Sequence, residues 1–237
     1  MRKSFCSLIS FLLFSLLACG AASAHWYVAP TGNDANNGSK RKPLKTIAAA
    51  LQRVNPGDTV FLREGSYGEF VVPTRSGKPG KMITLKSYPG EIAKIDGSDL
   101  YIKGWGNALV QVNNIDYMQF ENLHICHAHD SENNTDPEGI YITGTSGNIT
   151  FRGCKVYDIK NDCPLVDAKG DWRSAHAILV LGTDDNTPIR NLLIEKCEIF
   201  EIHSGTSEAF TLAGNVVDFT IQDNEAVSYT HLTLPTK

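Results

Sequence analysis

Four six-residue segments of the chain repeat one arrangement of apolar and polar positions. Each begins with an apolar residue, which two polar or small residues follow. The fourth position varies, the fifth is polar, and the sixth is small or apolar. The segments are 120–125, 151–156, 194–199 and 221–226, and their starts are 31, 43 and 27 residues apart. Repeats of this size predict a solenoid, in which uneven spacing comes from loops inserted on one side.

Apolar residues that alternate with polar ones extend this pattern towards the N-terminus. Such alternation places the apolar members of a strand on one face of a sheet. We predict successive coils of chain, here called rungs, whose inward-facing anchors are Leu62, Leu85, Phe120, Phe151, Ile194 and Ile221. The sequence shows no helical crossovers between these strands, which argues against a Rossmann-type α/β fold.

A second set of short strands supports the same architecture. The stretches 140–142, 178–180 and 210–212 each place two apolar residues on one face, and each ends two positions before a glycine. If each rung holds three strands, one from each of these two sets and one more, successive rungs stack along one axis. The sequence therefore predicts an all-β fold, a right-handed parallel β-helix.

Residues 25–58 are predicted to form an N-terminal strand and a capping helix. Apolar residues recur at helical spacing between Pro43 and Val54, and proline suits the first turn of a helix. A cap is expected because the open end of a solenoid exposes its core. Residues 59–226 are then the rungs of the β-helix, and we expect this set of rungs to be incomplete.

The first 24 residues have the features of a secretory signal peptide. Arg2 and Lys3 precede an apolar stretch over 8–17, and a small-x-small cleavage site ends at Ala24. We therefore predict export to the periplasm or the extracellular space. A lipoprotein signal ending at Cys19 is the alternative, and it would attach the protein to a membrane through a lipid.

Residues 227–237 break the repeat and are similar to the translation of a sequencing-adapter read. We expect this tail to be non-native and the natural protein to continue beyond about Ala226. A genuine short ending is the alternative, and no function is inferred from the tail.

Charge and cysteine content narrow the possible partners and cross-links. The formal net charge of −4 gives no support for a nucleic-acid partner. Export would permit disulfides. However, Cys154 and Cys197 both occupy the fourth position of the repeat. We therefore expect them to stack in the core.

Several stretches near the N-terminus resemble exported parallel β-helix proteins related to pectate lyases and other polysaccharide lyases. These stretches are 27–34, 43–47, 56–60, 65–67, 76–80 and 83–85. The resemblance implies the β-helix fold and a polysaccharide substrate, with a polyuronate as one candidate. It does not select an activity, because lyases, hydrolases, epimerases and adhesins share this fold.

One column of ionisable residues runs along the second strand set. Glu138, His176 and Glu208 each precede the first inward apolar residue by two positions. In register, neighbours in this column would lie about 4.8 Å apart. The two glutamates would suit an inverting glycosidase, the three residues could bind a divalent cation, or His176 could transfer a proton. A solvated polar edge is the alternative without a catalytic role.

Two long loops beside this column carry further candidate groups. Clustered carboxylates favour Ca²⁺, and Asp136, Glu138 and Asp171 are the candidate ligands. A lyase also needs a base, and a positive charge beside the uronate carboxylate. Lys169 and Arg173 are candidates for either role. Trp172 could stack on a sugar ring. Ordinary solvated loops remain the alternative.

We therefore expect a polysaccharide-active protein, with a lyase that cleaves acidic polysaccharide by β-elimination as the leading function. A glycoside hydrolase that uses Glu138 and Glu208, or a non-catalytic glycan-binding surface protein, is the alternative.

Overall fold

A computed structural model describes residues 23–102, 106–132, 134–164 and 173–229. The described chain consists mostly of strands. In chain order the elements are β1 (His25–Val28), α1 (Ile47–Leu51), β2 (Thr59–Leu62), β3 (Gly65–Tyr67), β4 (Ile83–Ser87), β5 (Ala93–Asp96), β6 (Ala108–Asn113), β7 (Asp116–Glu121), β8 (His124–Asp130), β9 (Glu138–Thr143), β10 (Gly147–Arg152), β11 (Lys155–Asn161), β12 (His176–Gly182), β13 (Ile189–Glu195), β14 (Glu198–His203), β15 (Phe210–Gly214), β16 (Val216–Gln222) and β17 (Glu225–Tyr229).

The strands form three parallel sheets that the chain visits in turn. The seven-stranded sheet has the order β1-β2-β4-β7-β10-β13-β16, the six-stranded sheet β17-β14-β11-β8-β5-β3, and the four-stranded sheet β15-β12-β9-β6. This is the predicted parallel β-helix. Within the described ranges, no helix is long and apolar enough to cross a membrane.

The four repeat segments stack in the predicted register. Phe151 pairs with Phe120 on one side and Ile194 on the other, and Ile194 pairs with Ile221. The rings of Phe120 and Phe151 are stacked inside the coil, with centroids 4.5 Å apart. These pairings confirm the predicted repeat. A buried column fixes the register of the strands that contribute to it, because a slip of one residue would turn its side chains to the other face.

The predicted anchor Leu62 is wrong by two positions. Leu85 pairs with Val60, while Leu62 lies opposite Ser87. Val60 and Leu62 are both fully buried. An alternating pattern cannot distinguish two apolar positions on the same face, since a shift by two residues preserves that face.

The N-terminal segment contains the predicted strand and a shorter helix than predicted. The strand β1 pairs with β2 and adds a seventh strand to the largest sheet. The helix α1 covers Ile47–Leu51 and not the predicted 43–54, because Thr46 is its N-cap and accepts a hydrogen bond from the Ala49 amide. The carboxylate of Glu69 accepts hydrogen bonds from the amides of Ile47 and Ala48.

The fourth repeat position is part of the core, as predicted. Leu123, Cys154 and Cys197 are each 1% exposed or less. Neither Cys154 nor Cys197 forms a disulfide. Their thiols instead lie 3.7 Å from the carbonyl oxygens of Phe120 and Phe151. The chain bends just before this position through residues with positive φ, such as Gly153 at 62°.

Candidate active site

The predicted column lies at the edge of the four-stranded sheet. His176 of β12 pairs directly with Glu138 of β9, as the alignment predicts. Glu208 lies two residues before β15, which begins at Phe210. The three residues therefore lie where neighbouring rungs enter this sheet, and Glu208 belongs to the preceding turn.

A chain of hydrogen bonds links Asp136, His176 and Ser207 across three successive rungs. Asp136 Oδ1 lies 2.9 Å from His176 Nδ1. The other ring nitrogen, His176 Nε2, lies 2.9 Å from Ser207 Oγ. Asp136 and His176 are 2% and 4% exposed. An acid, an imidazole and a hydroxyl in this order form the arrangement that activates a serine for nucleophilic attack.

The fold holds these three residues from separate positions in the chain. Asp136 precedes β9, and the carbonyl of the adjoining Pro137 accepts a hydrogen bond of 3.1 Å from the His176 amide. Ser207 lies in a turn whose amides bond to neighbouring carbonyls, Ser207 to Ser204 at 3.1 Å and Thr206 to Arg173 at 2.9 Å. Backbone hydrogen bonds between rungs and within the turn thus hold Asp136, His176 and Ser207 in position.

The hydrogen bonds determine how the imidazole can act. A carboxylate only accepts, so the nitrogen facing Asp136 carries the proton in the neutral ring. His176 Nε2 then has a lone pair that accepts the proton of the Ser207 hydroxyl. The same hydroxyl lies 3.2 Å from Glu208 Oε2, which competes for that proton.

Ser207 is the residue that the sequence analysis missed. The column prediction relied on strand alternation, whereas Ser207 lies outside β15 in a turn. The sequence did offer one indication of Ser207, namely its position immediately before Glu208. A residue next to a member of the column lies close to the other members as well.

An open groove of about 330 Å³ gives access to His176 and Ser207. Its lining combines polar and apolar groups: Asp136, Ser174, His176, Leu179, Leu181, Ser207, Thr211 and Ala213. Leu179 and Leu181 thus border the site from the outer face of β12. None of the described residues that line the groove is a lysine or an arginine.

Glu138 is not among the residues that line the groove, and it has no exposed surface. Burial and the neighbouring Asp136 carboxylate raise the pKa of Glu138 to about 9, while the Gly106 amide acts in the opposite direction. Neither carboxyl oxygen has a hydrogen-bond partner of regular geometry among the described residues. The side chain is therefore a protonated, buried acid at neutral pH, and its predicted catalytic role stays a prediction.

Of the other candidate residues, Lys169, Asp171 and Trp172 fall outside the described residues. Arg173 donates a hydrogen bond of 2.7 Å from Nη1 to the carbonyl of Cys163. Its own carbonyl accepts a bond of 2.6 Å from Thr206 Oγ1. Arg173 therefore joins the end of the loop to the turn that carries Ser207.

Two of the three predicted calcium ligands are described, and neither is exposed to solvent. Asp136 Oδ1 lies 2.9 Å from His176 Nδ1, and both Asp136 and Glu138 are buried. Among the described residues, one group of potential metal ligands has atoms within 4.8 Å of one another, namely Asp96, Cys126 and His127. Burial raises the pKa of Cys126 to about 11, so this thiol keeps its proton at neutral pH when no metal is bound. Calcium stays a prediction.

Comparison with known sequences identifies related proteins. A family described as "Pel9A-like, right handed beta helix region" matches residues 26–212. The uncharacterized protein YwoF of Bacillus subtilis is 32% identical over 191 residues, which cover 81% of this chain and 41% of YwoF. Pectate lyase PEL9 of Emericella nidulans is 26% identical over 147 residues, 57% of this chain and 34% of the relative. The chain thus spans about two fifths or less of these curated relatives.

Comparison with solved structures supports the fold. The crystal structure of pectate lyase Pel9A has a TM-score of 0.56 at 19% identity and covers 81% of this chain and 51% of that protein. The lacto-N-biosidase of Eubacterium ramulus has a TM-score of 0.58 at 18% identity, with 74% of this chain and 34% of the enzyme covered. At these identities the similarity concerns the fold alone.

Proposed function

Because the chain belongs to the Pel9A-like right-handed β-helix family, we propose that it acts on polysaccharide. The proposed reaction is β-elimination on an acidic polysaccharide. Two pectate lyases among its sequence relatives support this reaction. The observation that carries the proposal within this chain is the buried Asp136–His176 pair, which lines an open groove.

In this proposal, His176 is the base that removes the proton next to the uronate carboxylate. The carboxylate of Asp136 holds the proton on Nδ1 and stabilises the imidazolium that forms at Nε2. The role of Ser207 is indirect, since its hydroxyl must turn away from Nε2 before a sugar proton can approach.

The carboxylate of the bound uronate requires a positive charge nearby. The described lining of the groove contains no lysine or arginine, so the proposal assigns this role to Lys169. Dependence on Ca²⁺ through Asp171 belongs to the same proposal. Both residues belong to the segment outside the described ranges.

Hydrolysis by Glu138 and Glu208 has less support. A glycosidase needs both carboxyl groups beside the glycosidic bond. Glu138 has no exposed surface, and therefore cannot contact a polysaccharide in the described conformation. Glycan binding without turnover is an outcome of the following test.

The proposed reaction is tested with purified 237-residue chain and a panel of polyuronates, with and without added Ca²⁺. Ultraviolet absorbance follows unsaturated ends, and a reducing-sugar assay follows all chain cleavage. We expect both signals to rise together on at least one polyuronate. New reducing ends without absorbance would favour hydrolysis, and binding without either signal would favour a glycan-binding protein.

Export is proposed alongside this activity, since a polysaccharide substrate lies outside the cell. N-terminal sequencing of the protein from a bacterial culture tests it. We expect a mature chain that starts at His25, whereas lipidation would leave Cys19 as the first residue.

A further inference from the structure

The hydrogen-bonded residues Asp136, His176 and Ser207 include one group, the Ser207 hydroxyl, that proton abstraction does not require. A base that takes a proton from a sugar ring needs the imidazole and the acid that orients it. The hydroxyl at 2.9 Å from Nε2 blocks that nitrogen in the described conformation. We propose that Ser207 is a nucleophile and that the groove hydrolyses carboxylic esters carried by a polysaccharide.

The proposed step follows from the positions of the three side chains. Ser207 Oγ attacks the ester carbonyl carbon while its proton passes to His176 Nε2, and the imidazolium is stabilised by Asp136. The C–O bond to the alcohol then breaks, and His176 returns the proton to the departing alcohol. Water attacks the acyl-serine by the same route, releases the carboxylic acid and restores the Ser207 hydroxyl.

The groove suits an uncharged ester better than a bare carboxylate. Leu179, Leu181 and Ala213 give it an apolar side, and none of its described lining residues is cationic. The hydroxyl of Thr211 also lines the groove and has no hydrogen-bond partner within the described ranges. An ester group brings an apolar alkyl end and a carbonyl oxygen that accepts hydrogen bonds, which match these two features.

A second serine near a histidine provides an internal comparison. Ser98 Oγ lies 3.1 Å from His127 Nδ1, but Asp96 Oδ1 lies 2.8 Å from the same nitrogen. Ser98 also donates a bond of 2.6 Å to that carboxylate. The serine and the aspartate therefore share one side of the ring and form no relay. Ser98→Ala is accordingly a matched control for Ser207→Ala.

A covalent probe tests the nucleophile without a substrate. The wild-type chain is treated with an alkyl fluorophosphonate, which bonds to an activated serine with loss of fluoride. We expect a single adduct that peptide mapping assigns to Ser207. We also expect labelling to fall about 100-fold in His176→Ala and to stay unchanged in Ser98→Ala. An unlabelled wild-type chain, or an adduct elsewhere, would overturn the proposal.

Ester release tests the reaction itself. The choice of a polyuronate carrier rests on the proposed function, but the ester chemistry does not. Wild-type protein is incubated with methyl-esterified and acetylated polygalacturonate and with p-nitrophenyl acetate, and released methanol, acetate and nitrophenol are measured. We expect hydrolysis of at least one ester, with a loss of about 100-fold or more in Ser207→Ala. Equal rates in wild type and Ser207→Ala would contradict this role.

The unesterified carrier separates this activity from β-elimination. On unesterified polygalacturonate, wild type should produce unsaturated ends without releasing methanol or acetate. Ester release that Ser207→Ala loses, from a wild type that also forms unsaturated ends, supports both activities. Ester release by a wild-type chain that forms no unsaturated ends would reject the lyase and leave the esterase standing.

Discussion

At the scale of single residues, the site contains one acid that is buried, protonated and close to a second acid. Glu138 keeps its proton because burial and Asp136 both disfavour its charged form. As a neutral group it leaves Asp136 as the single carboxylate in contact with His176. This arrangement has a consequence for stability that can be measured.

Glu138→Gln should stabilise the protein increasingly as the pH rises. The pKa of Glu138 is about 9 in the folded chain and 4.5 ordinarily. The folded chain therefore binds a proton that the unfolded chain has released in this window, and the free energy of unfolding falls with rising pH by at most about 1.4 kcal/mol per unit. Glutamine removes this loss.

The measurement is urea unfolding of wild type and variant at about pH 5, 7 and 8.5. The stability difference in favour of Glu138→Gln should widen with pH. Glu64→Gln, at an exposed position, is the control and should show a constant difference. A difference between wild type and Glu138→Gln that stays flat would mean that Glu138 is ionised in the folded protein.

Glu208→Gln should increase ester hydrolysis. The Glu208 carboxylate lies 3.2 Å from Ser207 Oγ, where negative charge opposes the oxyanion that forms during attack. Removing a charge at this distance is worth about 1 kcal/mol when water screens it, or about five-fold in rate. The measurement is kcat/KM on p-nitrophenyl acetate, with Glu201→Gln on the six-stranded sheet as control. A large decrease would show that Glu208 takes part in the chemistry directly.

At the scale of elements, strand alternation predicted the stack of rungs but not the turns between them. The pairings of Phe120, Phe151 and Ile194 follow from a buried column with a period of two, and Ile221, which is 40% exposed, continues its register on β16. Ser207 lies in a turn, where no period applies, and this turn is held by hydrogen bonds within itself and to Arg173. For this reason strand alternation indicated His176 and missed Ser207, whereas Asp136 was a candidate only as one of the clustered loop carboxylates.

Phe151→Ala should destabilise the β-helix strongly, whereas Phe219→Ala should not. Phe151 is fully buried against Phe120, and its truncation leaves a cavity that costs about 3–5 kcal/mol. Phe219 of β16 also belongs to the seven-stranded sheet but is 49% exposed, so its loss should cost about 1 kcal/mol or less. Chemical unfolding measures both, and equal costs would contradict the predicted stack.

At the scale of the whole molecule, the β-helix brings distant segments together by coiling. Asp136 and His176 are 40 residues apart in sequence, and His176 and Ser207 are 31 apart. Each turn of the coil returns the chain to the same edge of the four-stranded sheet. A site of this kind can be predicted from the sequence once the length of each rung is known. Because the rungs differ in length, Ser207 was the member whose position was hardest to predict.

The same architecture explains why the sequence predicts the fold more completely than it predicts the function. The apolar column is repeated in every rung, so each repeat adds support for the fold. The candidate site occurs once, and three of its predicted members, Lys169, Asp171 and Trp172, fall outside the described residues, in a stretch of sequence that shows no repeat pattern. Chemistry in a solenoid depends on such single insertions.

The most direct test compares the rate of unsaturated-end formation by wild type and His176→Ala on polygalacturonate. Far-ultraviolet circular dichroism verifies that both proteins keep their β-structure. If His176 is the base, the wild type should generate absorbing ends and the variant should lose about 100-fold or more of that rate. A variant as active as the wild type would contradict the assignment of this groove as the active site.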